Sequence, residues 1–310
     1  MQLKPILRGV ATCVPGRYDA KRLGTGGTIS ARYCYSVWLR HLALIESCGL
    51  PTHYDSVAEL GPGDSLGISV AALLTGTNRV DALDVVRYAS TPHNLQILTQ
   101  LAELLAERQR IPDAGEFPDV YPRLSSYAFP AFLDERRLAQ ALEAGRVERI
   151  AKALSGTPSD ICVTYYVPWQ DCWKPDARGA DLVVSQAALE HVEDIDAVHR
   201  SLATGVRIGG IASHVIDFRS HGMTAAWDGH LQYGNGLWRI VKGQRPYLLN
   251  RRSPAGHLQA MRQSGFEIIR TERTTASPTI PHGALNRAFR QWSEEDRSTA
   301  TMIVVARRVR

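Results

Sequence analysis

Two acidic side chains and a glycine turn stand where two neighbouring apolar runs end. The run 57–60 carries Glu59 and opens into the turn Gly61-Pro62-Gly63, and the next run, 80–86, contains Asp84. Glycines between a strand and a helix let the backbone approach a ligand, and a helix start offers free N–H groups to a polar ligand. A carboxylate at the end of the following strand can accept both hydroxyls of a ribose. This pattern predicts a nucleotide-like cofactor; the alternative is a pair of ordinary solvated strand ends.

A second group of polar side chains, His214, Asp217 and His221, has the residue types that bind divalent metal ions. In a strand, positions 214 and 217 point to opposite faces, so they converge only if the strand ends between them. We therefore predict no metal site from this spacing.

The elements that must position these residues alternate between apolar runs and helical patterns. Helical spacing follows Ser30 and covers 94–108 and much of 132–154, and the predicted strands are 57–60, 80–86, 161–167, 181–185, 208–216, 266–269 and 302–306. Strands that alternate with helices are typical of an α/β fold with a doubly wound, mostly parallel sheet, here of seven strands.

The same pattern suggests a division of the chain. Residues 1–50 form a predicted N-terminal helical cap segment, and 51–310 form the main domain. A proline-rich and helical insertion at 112–155 is a candidate cap, and 217–255 is a candidate lid over the acceptor side.

Composition sets the class of protein. The chain has 310 residues, of which 44% are hydrophobic and 22% charged, as in ordinary globular proteins. No apolar run approaches the roughly 20 residues of a membrane span. Residues 1–14 lack the pattern of an export signal, so we predict a cytoplasmic protein with no membrane span.

Cysteines and charge exclude other classes. The five cysteines are odd in number and form no C-x-x-C pair, so neither a disulfide framework nor a zinc ribbon is indicated. The net charge of +5 is compatible with an acidic substrate. Because the basic residues are spread out, and no basic segment interleaved with aromatic residues is present, a nucleic-acid partner is not favoured.

Three segments together resemble the class I S-adenosylmethionine-dependent methyltransferases, over roughly residues 57–216. They are Glu59-Leu60-Gly61-Pro62-Gly63 with Asp84; Ser185-Gln186-Ala187-Ala188-Leu189-Glu190-His191-Val192-Glu193-Asp194; and Arg207-Ile208-Gly209-Gly210. Ser65 stands where the commonest form of the turn has a third glycine.

The resemblance implies S-adenosylmethionine as cofactor and a Rossmann-like methyltransferase fold. It implies that Gly61 and Gly63 approach the methionine part, that Glu59 orders its amino end, and that Asp84 binds the ribose. Trp169, just past the third strand, is expected to wall the adenine. Ser185, at the end of the fourth strand, is assigned to the same cofactor site.

Beyond the sheet, residues 217–222, 227–230 and 247–252 resemble proteins of bacterial sugar and surface-polysaccharide methylation. A sugar site needs aromatic faces and polar side chains, which Trp227 and Tyr233 would provide. Arg251 and Arg252 would pair with a carboxylate or phosphate of the acceptor. The alternative is that the aromatic residues pack a lid and the arginines are solvated.

Transfer to a sugar hydroxyl requires that a proton be removed, and histidine is the side chain best suited to this task. His221 is the first candidate because it follows the fifth strand, at the edge where parallel sheets bind ligands; His230 is second and His191 third. His191 could instead line the site without moving a proton.

The sequence thus predicts an O-methyltransferase that acts on a small-molecule or saccharide acceptor. Two alternatives stay open: a non-catalytic protein of the same fold that binds the cofactor or a partner, and an RNA or other small-molecule methyltransferase. The acceptor's identity, the position methylated and the oligomeric state are left open.

Overall fold

The computed structural model describes residues 3–14, 27–170, 172–175, 178–245 and 248–310. Its strands are β1 Ser56–Leu60, β2 Arg79–Leu83, β3 Cys162–Tyr166, β4 Ala180–Gln186, β5 Val206–Asp217, β6 Phe266–Thr275 and β7 Thr299–Arg308. Its helices are α1 Lys4–Ala11, α2 Ala31–Ser47, α3 Gly67–Leu73, α4 Thr91–Ala106, α5 Glu135–Ala141, α6 Ala144–Leu154, α7 Ile195–Gly205, α8 Asn235–Lys242, α9 Pro254–Gln263 and α10 Glu294–Ser298. None of the helices in the described ranges is long and apolar enough to cross a membrane.

The strands form one seven-stranded sheet in the order β3-β2-β1-β4-β5-β7-β6. The five strands β1 to β5 run parallel to one another, whereas β7 lies antiparallel between β5 and β6. The strand order reverses at β1, whose neighbours are β2 and β4. In open α/β sheets, ligands bind at such a switch point, beyond the carboxyl ends of the strands. The prediction of a doubly wound, mostly parallel sheet of seven strands is confirmed.

The ends of the strands decide where the polar residues stand. β2 ends at Leu83, so Asp84 is the first residue beyond it and lies in the loop. β5 is longer than predicted and runs to Asp217. The two C-terminal strands are also longer than predicted, and their antiparallel ladder runs from the pair Phe266–Arg308 to the pair Thr275–Thr299.

One face of the sheet is covered by α2, α3 and α4, which share a core with the buried side chains of β1 and β2. Ser30 caps α2 by accepting a hydrogen bond from the Tyr33 amide. In the middle of α2, the buried Arg40 donates hydrogen bonds to the carbonyl oxygens of Pro112, Val120 and Pro122, at 2.6, 2.6 and 3.0 Å. The proline-rich start of the insertion is therefore packed on α2, and its last helix, α6, packs on α4 and β3.

The other face, covered by α7 and α9, buries three histidines. His214 Nδ1 lies 2.8 Å from the Ser185 hydroxyl, and its ring centroid is 6.1 Å from that of His199. His257 packs edge-on against Phe218. Among the described residues, neither ring nitrogen of His199 or His257 has a hydrogen-bond partner. Burial lowers the pKa of all three histidines, to about 4 for His199, so they are neutral at physiological pH.

The N-terminal helix α1 does not join α2. It packs on α8 of the lid, so closely that a Cβ added at Gly9 would lie 2.0 Å from the Ile240 carbonyl oxygen. The predicted cap segment 1–50 thus contacts both the sheet layer and the lid; residues 1, 2 and 15–26 of it lie outside the described part of the chain. The domain boundaries stay a prediction.

Candidate functional site

The glycine turn after β1 requires glycine by its geometry. Gly61 and Gly63 have φ of +76° and +72°, a region that L side chains rarely adopt. A Cβ on Gly61 would lie 2.6 Å from the Cβ of Ala188, in the loop after β4. The turn is therefore bare backbone at the switch point, packed against the neighbouring strand end.

A residue outside the sheet holds this turn in place. The buried Thr28 hydroxyl donates to the Pro62 carbonyl oxygen at 2.6 Å and accepts from the Ser65 amide at 2.9 Å. The Ser65 hydroxyl in turn donates to the Thr28 carbonyl oxygen at 2.5 Å. The serine that replaces the third glycine is thus one half of a reciprocal pair. Sequence reasoning missed Thr28, whose only signal was its place at the end of the Gly-rich stretch 23–28, most of which lies outside the described residues.

Asp84 lies beside the turn. Its Oδ2 accepts a hydrogen bond from the Gly63 amide at 3.3 Å, and its Oδ1 accepts one from the Val85 amide at 2.7 Å. Burial raises the pKa of Asp84 to about 6, so the carboxylate is mostly ionised at neutral pH. The next residue, Val85, is an exposed apolar side chain. A carboxylate, a bare turn and an apolar surface therefore meet at one place.

Glu59 is buried in β1 and bound to the start of α3. Its Oε2 accepts from the amide of Ser69 at 2.9 Å and from its hydroxyl at 2.5 Å. Its Oε1 has no hydrogen-bond partner among the described residues. Burial raises the pKa of Glu59 to about 7. Since one oxygen fixes the helix, only the other remains for the predicted role at the cofactor's amino end, which stays a prediction.

The two other predicted cofactor residues are turned toward protein partners. The Trp169 amide donates to the Asp84 carbonyl oxygen at 3.0 Å, but its side chain is only 2% exposed and packs on Trp173. The Ser185 hydroxyl is engaged with His214. Trp169 follows β3, and Ser185 lies near the end of β4. Their contact with a cofactor stays a prediction.

The ends of β4 and β5 bring four polar side chains together, which we call the carboxyl-edge cluster: Glu190, His191, Asp217 and His221. Glu190 and His191 lie on a single 3₁₀ turn after β4, and Asp217 is the last residue of β5. His221 Nε2 lies 3.4 Å from Asp217 Oδ2 and 3.9 Å from Glu190 Oε1. The ring centroids of His191 and His221 are 5.1 Å apart.

Asp217 is the fixed charge of this cluster. The Arg219 guanidinium donates to both of its oxygens at 2.6–3.0 Å and also contacts Asp119 of the insertion at 2.6 Å. Burial alone would raise the pKa of Asp217, but the hydrogen bonds from His221 and Arg219 hold it well below its usual value. The insertion therefore reaches the carboxyl edge of the sheet through Asp119.

Glu190 is in the opposite situation. It is buried, and neither carboxylate oxygen has a hydrogen-bond partner among the described residues. Burial, together with the nearby Asp217 carboxylate, raises its pKa well above the usual value. Asn250 fixes the backbone around it: its amide side chain donates to the carbonyl oxygens of Leu189 and Val192 at 2.7 and 2.8 Å, and its backbone N–H to that of Glu190 at 2.7 Å. An orphaned buried carboxylate on a rigid turn is a feature that the sequence motif did not reveal.

The other two candidate bases are less accessible than His221. His230 is buried in the lid, where burial and the Arg251 charge lower its pKa to about 3. Burial likewise lowers the pKa of His191 to about 4. Both are neutral at physiological pH, and both are weak bases. His214, considered above with Asp217 and His221 for a metal, lies among the buried histidines of the core instead.

The predicted acceptor residues are spread through the lid. The Arg251 guanidinium lies between the rings of Trp238 and Phe289, 4.5 and 4.9 Å from their centroids, and donates to the Tyr233 carbonyl oxygen. Tyr233 is fully buried beside Trp238. Arg251 and Tyr233 thus make packing contacts inside the lid, and their acceptor roles stay predictions.

Arg252 and Trp227 are more open. Arg252 lies 3.4 Å from Asp196, at the first turn of α7, and both side chains are about 40% exposed. Trp227 is half-buried, and its indole N–H donates to the Ser277 carbonyl oxygen at 3.0 Å. The structure does not bring Trp227 and Arg252 into one set of contacts, and their acceptor roles stay predictions.

A small recess, with a cavity volume of about 10 Å³, lies between the carboxyl-edge cluster and the lid. It is lined by Glu190, Asp217, Phe218, His230, Leu249, Asn250, Arg251, Arg252 and Trp292. Three predicted residues, His230, Arg251 and Arg252, therefore line the recess, next to residues that the sequence did not single out.

No protein-family model matches the chain, and no curated protein matches it. Solved structures with a similar fold include an S-adenosylmethionine-dependent methyltransferase from Methanosarcina mazei (11% identity, TM-score 0.46, 86% of this chain and 97% of that one). Another, from Mesorhizobium loti, has 17% identity and a TM-score of 0.42 over 86% of this chain and 98% of that one. Phosphoethanolamine N-methyltransferase 2 of Haemonchus contortus, solved with S-adenosyl-L-methionine, has 12% identity and a TM-score of 0.44 over 95% of this chain and 61% of that one. Identities this low, with TM-scores below 0.5, carry no conclusion about what this chain binds or converts.

Proposed function

We propose that this protein is an S-adenosylmethionine-dependent methyltransferase that transfers a methyl group to a hydroxyl of a sugar or polysaccharide-related acceptor. The observation that carries the proposal is Asp84, a carboxylate held against the Gly63 amide at the switch point of the sheet. A ribose diol needs such an acceptor, and the positive-φ glycines beside it would present bare backbone to the methionine part. The exposed Val85 offers the apolar contact that an adenine ring needs.

Methyl transfer from a sulfonium is an in-line displacement. The acceptor oxygen forms a bond to the methyl carbon while the carbon–sulfur bond breaks, and the acceptor loses its proton. His221 would receive that proton: its Nε2 lies 3.4 Å from Asp217 Oδ2, which would leave the other ring nitrogen for the acceptor. His191 and His230 would then line the site.

The recess between the cluster and the lid supports a polar acceptor. Its lining combines carboxylate, amide and guanidinium groups with the aromatic side chains of Phe218 and Trp292, the mixture that a sugar ring requires. Its cavity volume of about 10 Å³ is far below the roughly 300–1,000 Å³ of typical ligand pockets. We therefore expect the lid to open when the acceptor enters. A cytoplasmic location is proposed on the sequence alone.

The test is to incubate the protein with S-adenosylmethionine and a panel of nucleotide sugars and oligosaccharides, and to look for a gain of one methyl group by mass spectrometry. Asp84→Ala serves as the control, since it should lose transfer together with cofactor affinity. If calorimetry detects no binding of S-adenosylhomocysteine to the wild type, the proposal is wrong. Binding without transfer to any acceptor would favour the non-catalytic alternative.

A further inference from the structure

We propose that Glu190, His191 and His221 bind one divalent first-row transition-metal ion, which in turn binds the acceptor's hydroxyl. The second half of this inference rests on the proposed function. The first half does not, because metal binding can be measured without any acceptor.

The three residues come from the ends of two adjacent strands, β4 and β5, and each offers a ligand atom within 4.8 Å of the others. Bonds of about 2.0–2.2 Å to one ion separate its ligand atoms by roughly 3–4 Å. The measured distance from His221 Nε2 to Glu190 Oε1 is 3.9 Å. Small side-chain rotations are therefore enough to close the set around an ion.

Glu190 supplies an independent observation. Its side chain is 3% exposed, and both oxygens lack a hydrogen-bond partner among the residues that the structure describes. Buried carboxylates are normally paired with a cation or bound to a metal, because removing their hydration is costly. The Arg219 guanidinium, whose charge acts on Glu190, is already bound to Asp217 and Asp119. A cation between Glu190 and the two imidazoles would satisfy this carboxylate.

The donor types point to the class of ion. Two imidazoles with one carboxylate suit Mn²⁺, Fe²⁺, Co²⁺ or Zn²⁺ better than Mg²⁺ or Ca²⁺, which prefer all-oxygen sites. Asp217 adds negative charge beside the site, but it is already held by Arg219, so we count it as a neighbour and not as a ligand. Asn250 holds the turn that carries Glu190 and His191, so two of the three ligands are preorganised.

Such an ion would change how the acceptor loses its proton. A hydroxyl bound to a divalent ion is far more acidic than a free one, so its O–H bond can break with the proton passing to water. The oxygen then attacks the methyl carbon as before. With the ion bound, His221 is a ligand; without it, His221 is the proton acceptor.

The experiment uses tag-free, chelator-treated protein. Co²⁺ binding is followed by visible absorption, and Mn²⁺ and Zn²⁺ binding by calorimetry. We expect one ion per chain, with affinity at least about tenfold weaker in Glu190→Gln and His221→Ala. His282→Ala, which removes an exposed histidine away from the cluster, should bind like the wild type.

Circular dichroism and thermal melts establish that each variant is folded. If Glu190→Gln does not fold, the affinity of His191→Ala and the wild-type Co²⁺ spectrum still test the metal site. A wild-type spectrum identical to that of aqueous Co²⁺ would refute the site. Equal affinity in all variants would also refute it. S-adenosylhomocysteine binding is measured on the same samples: if it persists while metal binding fails, only this inference falls, and the reverse result overturns only the proposed function.

Discussion

The pKa of Asp84 gives a quantitative test of its contact with the ribose. With a pKa of about 6, roughly a tenth of the side chain is ionised at pH 5 and about nine-tenths at pH 7. If only the carboxylate accepts both ribose hydroxyls, the dissociation constant for S-adenosylhomocysteine should fall about tenfold from pH 5 to pH 7. This corresponds to about 1.4 kcal/mol. The sign follows because the ligand favours the ionised form, so affinity rises with pH.

Asp84→Asn keeps the shape of the side chain and removes its charge. We expect the loss of a charge-assisted hydrogen bond, about 1.5–3 kcal/mol, which makes binding roughly 10- to 150-fold weaker at pH 7. The variant should also lose the part of the pH dependence that Asp84 contributes, because an amide does not titrate. The ligand's own titration affects both proteins equally, so the ratio of their dissociation constants isolates Asp84.

The assay is titration calorimetry at pH 5, 6 and 7, with circular dichroism at each pH to establish that the protein is folded. Asp55→Asn is the matched control, since it makes the same change just before β1, at the opposite edge of the sheet. A wild-type affinity that is constant over this range, or an Asp84→Asn variant that binds like the wild type, would refute the assignment.

Two further substitutions test the supports of the site. Thr28→Val leaves the Ser65 amide and the Pro62 carbonyl without their buried partner, at roughly 1–3 kcal/mol each, so urea unfolding should show a lower stability and calorimetry a weaker cofactor affinity. Thr28→Ser keeps the hydroxyl and should restore both, whereas equal effects of the two would contradict the role of the hydrogen bonds. His199→Leu removes a buried imidazole whose pKa falls from about 6.5 when unfolded to about 4. Protonation of this histidine in the unfolded chain lowers the wild-type unfolding free energy by about 2 kcal/mol between pH 8 and pH 5, and the loss begins as the pH drops below about 6.5. The unfolding free energy of the variant should therefore fall less over that range. An unchanged pH slope would refute this role of His199.

The parts of the fold that follow from local sequence were predicted well. The apolar runs located all seven strands, and the order of strand, turn and helix located Gly61, Gly63 and Asp84 next to one another. These features depend on periodicity and on backbone conformation, which neighbouring residues determine.

The features that depend on distant contacts were not predicted. Arg251 reads as an exposed basic residue, yet Trp238 and Phe289 enclose it, and Phe289 comes from a segment far along the chain. Glu190 reads as part of a motif, but only tertiary packing leaves its carboxylate without a partner. Burial of a polar group is a property of the assembled layers, and no local pattern records it.

The reciprocal pair of Thr28 and Ser65 has a consequence for how this protein can evolve. The side chain of each residue bonds the backbone of the other. A substitution at position 28, outside the turn, therefore removes a support of the turn just as a substitution at position 65 does. A glycine at position 65, the commonest choice in such turns, would remove the hydroxyl that bonds the Thr28 backbone. Among relatives, we therefore expect positions 28 and 65 to change together, with a small residue at 65 accompanied by a different anchor at 28.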